Sequence, residues 1–237
     1  MKCFLKYITE VIDLIKAVIL DLDNTLYDEH QFVKSGFKAV AYQLANKFGL
    51  NEELIYSRLY KIFLEKGRKQ VFTQILNYYG IYTEANLSYI LEVYRQHLPR
   101  ISVFKDVCAV LPVLKKEYRL GLITDGLKLV QENKVKALKI SGYFDATVFA
   151  TDYGSKCSQK PFLAILEKLQ VKATESVYVD DNPYKGFAIA KQLGIRTIRM
   201  LRGENKDLLV TEQQVKPDIE ISNLYQLEDS ICEIDRL

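Results

Sequence analysis

Residues 17–29, AVILDLDNTLYDE, decide how this chain is read. Ala17 to Leu20 form a short continuous apolar run, as expected of a strand buried on both faces. The run leads into two carboxylates at alternate positions, Asp21 and Asp23, and then into Asn24 and Thr25. Side chains alternate along a strand, so residues two apart point the same way. The bland alternative is a strand end whose acids only cap the following turn. Choosing between the two requires the rest of the chain.

The 237 residues are enough for one large domain or two smaller ones with a substantial core. With 49% hydrophobic and 27% charged residues, the composition is that of an ordinary soluble globular protein. The 33 basic and 30 acidic residues leave a net charge of +3, too even for a nucleic-acid or membrane surface. No zinc-finger spacing, arginine stripe or RNA-binding aromatic signature stands out, so nucleic acid is not expected as a partner. Cys3, Cys108, Cys157 and Cys232 form no C-x-x-C pair and fit a reducing compartment. In residues 1–16, Lys6, Glu10, Asp13 and Lys16 interrupt every apolar run. That pattern excludes a signal core or membrane span and predicts an N-terminal arm or amphipathic helix on a cytoplasmic protein.

From about Gln31 to His97 the pattern is helical. FKAVAYQLANKFG stops at Gly49, Asn51 can cap EELIYSRLYKIFLEK before Gly67, KQVFTQILNYYG stops at Gly80, and EANLSYILEVYRQHL stops before Pro99. After Pro99 the period changes. LGLIT (120–124), ATVFA (146–150), SVYVD (176–180) and IRTIRM (195–200) are strand-like with helical stretches between them, and DIEI near Asp218 adds one more. Strands alternating with helices imply a doubly wound parallel sheet. The expected organisation is an α/β core of residues 17–28 and 100–237, with a helical bundle of residues 29–99 inserted after the first strand.

Open parallel sheets bind ligands beyond the carboxyl ends of their strands. Those ends carry Asp21 and Asp23, then Thr124, Asp125 and Gly126, and then Lys160 in GSKCSQKP, just before a helix-starting Pro161. The last contributes Asp180 and Asp181. Carboxylates, a hydroxyl and an ammonium on one rim suit a magnesium-assisted phosphate site. Two adjacent acids at a buried strand end are also costly without a cation.

Taken together, DLDNT (21–25), LITDG, QKP and YVDDNPYKGFAIAKQLG resemble, in order, the four motifs of the haloacid dehalogenase superfamily. The helical insertion resembles that family's cap. The resemblance implies that Asp21 attacks phosphorus to form an aspartyl-phosphate, and that Asp23 protonates the leaving oxygen and later activates water. It further implies that Thr124 and Asp125 bind the phosphoryl group and that Lys160 neutralises its charge. Mg²⁺ would be held by Asp181, the Asp21 carboxylate and the Asp23 backbone carbonyl. Family members that cleave carbon–halogen bonds lack the acid found here at Asp23, because a halide leaves without a proton; P-type pumps carry threonine there.

In one departure, Asp180 stands where many members have glycine, leaving Asp180 as a second metal candidate behind Asp181. In EKGRK, Arg68 is a candidate substrate contact, with a solvated helix end as the alternative. The reading is therefore a Mg²⁺-dependent phosphatase of small phosphorylated metabolites. A sugar phosphomutase on the same core and a non-catalytic phosphometabolite-binding regulator are the alternatives. Monomer and homodimer are equally compatible with the sequence.

Overall fold

Four residues at the centre of the molecule, β1 (Ala17–Leu20), are each completely buried. In the computed structural model, which describes residues 14–210 and 215–236, this strand is flanked by β2 (Arg119–Thr124) and β4 (Ser176–Asp180), both parallel to it. Leu20 stands level with Leu122 and Val179, so Asp21 emerges where both neighbours are also ending. With β3 (Ala146–Phe149), β5 (Arg196–Met200) and β6 (Ile219–Ile221), the sheet has the order β3-β2-β1-β4-β5-β6, and every pairing is parallel. This is the doubly wound α/β architecture read from the sequence. Chain direction across the sheet reverses between β1 and β4, a geometry that leaves a crevice at the strand ends.

Strand alternation divides the core into two layers. Val18 and Leu20 face one cluster, completed by Val107, Leu111 and Leu114 of α5 (Lys105–Glu117), Val135 and Leu138 of α6 (Lys128–Leu138), and Leu227, Ile231 and Ile234 of α9 (Leu227–Ile234). Ala17 and Ile19 face the other, made with Phe162, Ile165 and Leu169 of α7 (Gln159–Leu169) and Phe187 and Ala190 of α8 (Phe187–Leu193). Full burial of an Ile- or Leu-sized side chain contributes roughly 1.5–3 kcal/mol, so even a four-residue strand is held firmly.

Between β1 and α5 the chain forms α1 (Glu29–Phe48), α2 (Glu52–Lys66), α3 (Val71–Tyr78) and α4 (Glu84–Gln96). Asn51 caps α2 by accepting from the Leu54 N–H at 3.0 Å, and Gly49 ends α1 in the left-handed conformation. These four helices share an apolar cluster built on Val33, Phe37, Leu44, Ile55, Leu59 and Ile75, separate from the two sheet layers. Of the expected N-terminal arm, residues 1–13 lie outside the described residues. Among the described residues no helix is long and apolar enough to cross a membrane.

Candidate active site

The turn after β1 is shaped by its own side chains. Asn24 adopts φ +56°, a left-handed conformation that asparagine tolerates better than most residues. Its side-chain oxygen accepts from the Glu29 N–H at 3.1 Å, while the Leu26 N–H bonds the Leu22 carbonyl at 2.9 Å. Gly203 presses against this turn: a Cβ on it would lie 2.5 Å from the Asn24 Cβ, and its φ is +69°. From behind, the Arg202 guanidinium donates to the Thr25 carbonyl and, at 2.7 Å, to the Asp106 carboxylate. The same Asp106 oxygen accepts from the Leu224 N–H at 2.7 Å.

Asp21, Asp180 and Asp181 each present a carboxylate oxygen within 4.8 Å of the other two, and all three are buried. Lys156, only 3% exposed, puts its ammonium against Asp21 and 3.2 Å from Asp180. Asp180 also accepts from the Tyr178 hydroxyl and, at 2.9 Å, from the Asn182 N–H. Asp181 accepts from the Asn205 amide at 2.8 Å. Burial, followed by Asp180 and Asp21, pushes the Asp181 carboxyl up to about 9. At Asp21, burial together with the Asp180 and Asp23 charges outweighs Lys156 and raises the carboxyl to about 8. Three acids facing one ammonium cannot all ionise together without a further positive charge, and the ligand atoms they offer are all oxygens. Those donors fit a hard divalent cation.

Asp23 has a different environment. Burial alone would raise its carboxyl, but the Lys134 ammonium at 2.7 and 2.9 Å, the Tyr27 hydroxyl at 2.5 Å and the Gln131 amide at 3.2 Å together lower it. Two neighbouring carboxylates are thereby pushed in opposite directions, the pattern expected of groups with separate tasks.

Of the residues expected from the sequence, Asp21, Asp23, Asp125, Asp180, Asp181 and Arg68 line one cavity of about 240 Å³. Thr124 closes β2, buried, with its hydroxyl oxygen lacking a hydrogen-bond partner; it is next to Asp125 but not itself among the lining residues. Arg68 reaches the cavity with its guanidinium already engaged, donating to both Glu29 oxygens at 2.6 and 2.7 Å and to Glu204 at 2.9 Å.

Lys160 requires a correction. Helix α7 begins at Gln159, so Lys160 and Pro161 both fall within its first turn, with Lys160 on the exposed side and Pro161 buried. The ammonium that meets Asp21 and Asp180 belongs to Lys156, four residues earlier and in the turn before the helix. Sequence reasoning also missed Lys134. A signal was present: in α6 it shares the buried stripe of Gln131, Val135 and Leu138, where an unpaired lysine would be costly.

Comparison with known proteins bears on this arrangement. A family model described as haloacid dehalogenase-like hydrolase matches residues 18–200. A glyceraldehyde 3-phosphate phosphatase of Methanocaldococcus jannaschii is 30% identical, over 92% of this chain and 97% of its own. A solved 2-haloacid dehalogenase from Pseudomonas syringae is 27% identical with a TM-score of 0.65, covering 93% of this chain and 100% of that one. A solved HAD phosphatase from Thermococcus onnurineus is 25% identical with a TM-score of 0.61, covering 92% and 98%. The match reaches from β1 to the end of β5 and so includes every strand end that builds the cavity; the chain belongs to the haloacid dehalogenase-like hydrolases.

Proposed function

We propose that this hydrolase is a Mg²⁺-dependent phosphatase acting on small phosphomonoesters, with Asp21 as nucleophile. The observation that carries the reading is the buried trio Asp21, Asp180 and Asp181 around the Lys156 ammonium, with Asp23 beside it in a separate polar cage. The phosphatase names of relatives such as the Methanocaldococcus protein support the same direction. Asp23 argues against the carbon–halogen chemistry named for the Pseudomonas neighbour, since a halide needs no proton.

In the first half-reaction an oxygen of Asp21, ionised when a divalent cation adds positive charge beside it, attacks phosphorus, an aspartyl O–P bond forms and the ester P–O bond breaks. The departing oxygen takes its proton from Asp23. In the resting site Asp23 is held as a carboxylate; an incoming phosphate dianion adds negative charge beside it and favours proton uptake. In the second half-reaction Asp23 removes a proton from the attacking water, and the acyl phosphate is released as free phosphate and Asp21. Lys156 offsets charge on the phosphoryl oxygens, and the Thr124 hydroxyl, buried without a partner beside Asp125, would have to turn toward the cavity to donate to them. Asp21 and Asp181 would hold Mg²⁺; Asp180 is already committed to Tyr178, Lys156 and the Asn182 N–H and supports them. When bound, the ion would supply charge neutralisation and help orient the phosphoryl group. Helices α1–α4 would serve as a cap that excludes water and selects the leaving group.

The test is phosphate release from a panel of sugar, glycerol and nucleoside monophosphates with Mg²⁺, with chelator, and with Mg²⁺ restored. Release that depends on Mg²⁺ and is lost in Asp21→Asn supports the reading; chelator-insensitive release, or an active Asp21→Asn protein, overturns it. Formation of hexose phosphate isomers instead of free phosphate would indicate a phosphomutase.

A further inference from the structure

Beside the acidic cavity lies a second, larger one of about 540 Å³, and the two share Asp23, Glu29, Arg68 and Asp125 in their walls. The second space has more than twice the volume of the acidic cavity, room beyond what a three-carbon leaving group requires. Its size falls within the range of pockets that enclose whole drug-sized ligands. Its walls are chiefly apolar. Phe37, Phe72 and Tyr94 line it as one contiguous aromatic group, with ring centroids 6.0 Å apart between Phe37 and Phe72 and 5.1 Å apart between Phe72 and Tyr94.

Two leucines, one from the inserted bundle and one from the sheet domain, line this space outside the three apolar clusters. Leu91 of α4 belongs to none of the three apolar clusters, and Leu127, at the start of α6, is 53% exposed. Leucine side chains from both the inserted bundle and the sheet domain are thus left for a guest to cover.

Resting on the phosphatase reading above, we propose that the substrate is a phosphomonoester whose alcohol carries a flat aromatic body, seated in this second cavity while its phosphate occupies the acidic one. A three-carbon polyol phosphate would leave most of these apolar walls wet. An aromatic ring would cover them and could meet Phe72 and Tyr94 edge to face.

The test compares esters with equally poor alkanol leaving groups, so that intrinsic reactivity does not bias it: 2-(1-naphthyl)ethyl phosphate against ethyl phosphate, glycerol 3-phosphate and glyceraldehyde 3-phosphate. The expected result is at least a tenfold higher kcat/KM for the naphthyl ester. Leu91→Asp, and independently Leu127→Asp from the sheet domain, should reduce that value about tenfold while leaving glycerol 3-phosphate turnover within twofold. Circular dichroism melting establishes that each variant is folded. Equal or better turnover of glyceraldehyde 3-phosphate overturns the aromatic-body inference and leaves the phosphatase reading intact, as does an equal loss on both substrates in a folded variant. If no ester is hydrolysed, the phosphatase reading fails first. Calorimetric binding of the naphthyl ester then decides the inference: tighter binding than ethyl phosphate sustains it, and equal binding ends it.

Discussion

The Lys134 ammonium, on a side chain only 3% exposed, sits 2.7 and 2.9 Å from the two oxygens of Asp23, a residue 111 positions earlier in the chain. Phe32 covers the same ammonium, its ring centroid 4.5 Å away. A buried cation of this kind is stabilising only while its partner is present.

Removing one partner of a buried ion pair leaves the other charge desolvated, at a cost of about 3 kcal/mol. Lys134→Met should lower stability to urea by that amount. Adding Asp23→Asn to it should recover more than half of the loss. Additive losses in the double variant would show that the two groups are not coupled.

The two lysines of GSKCSQKP should behave very differently. Lys156→Met removes the ammonium between Asp21 and Asp180 and should slow phosphate release at least ~10²-fold, the usual scale for losing one preorganised donor. Lys160→Met alters an exposed position of α7 and should leave the rate within about twofold. The reverse ranking would return the role to Lys160.

Gly203→Ala should damage the site from outside it. The new methyl would lie 2.5 Å from Asn24 Cβ, in a backbone conformation with φ +69° that also disfavours a side chain. The expected cost is of order 1–3 kcal/mol in stability, with slower turnover because Asn24 adjoins Asp23. A thermal melt and a rate measurement on the same preparation check both; an unchanged melt contradicts the close approach.

Acid sensitivity should appear far from the site, at Asp218. Burial raises its carboxyl, but Lys191 at 2.7 Å and Thr197, donating from N–H at 2.7 Å and hydroxyl at 2.8 Å, outweigh that and lower it. A carboxyl depressed in the folded state contributes stability above its unfolded value of about 3.9, and that contribution disappears as pH falls through the folded value. The stability gap between wild type and Asp218→Asn, measured by urea unfolding, should be full at pH 7 and pH 5 and narrow below about pH 4. A gap independent of pH contradicts the argument.

Much of this fold was legible because its signals are local. The uninterrupted apolar run at 17–20, the change of period after Pro99, and the stops at Gly49 and Gly67 each reflect constraints that act within a few residues. The acids were legible for the same reason, since a strand end determines where Asp21 and Asp180 emerge. The site lysine was not. GSKCSQKP offers two, and the choice turns on whether the helix begins at Gln159 or at Pro161, a boundary only two residues wide. Lys134, Asn205 and Tyr178 were missed because their partners are set by tertiary packing: Lys134 meets Asp23 only once α6 lies beneath the turn after β1, and Asn205 meets Asp181 only through the loop after β5. Tyr178 alone had a local cue, two residues before Asp180 on the same face of β4.

The Asp106–Arg202 pair ties the Thr25 carbonyl to the Leu224 N–H, so the turn after β1 shares an anchor with the last turn before α9. A change of backbone position at Leu224 is therefore transmitted, through two charged side chains, to the Thr25 carbonyl two residues beyond Asp23.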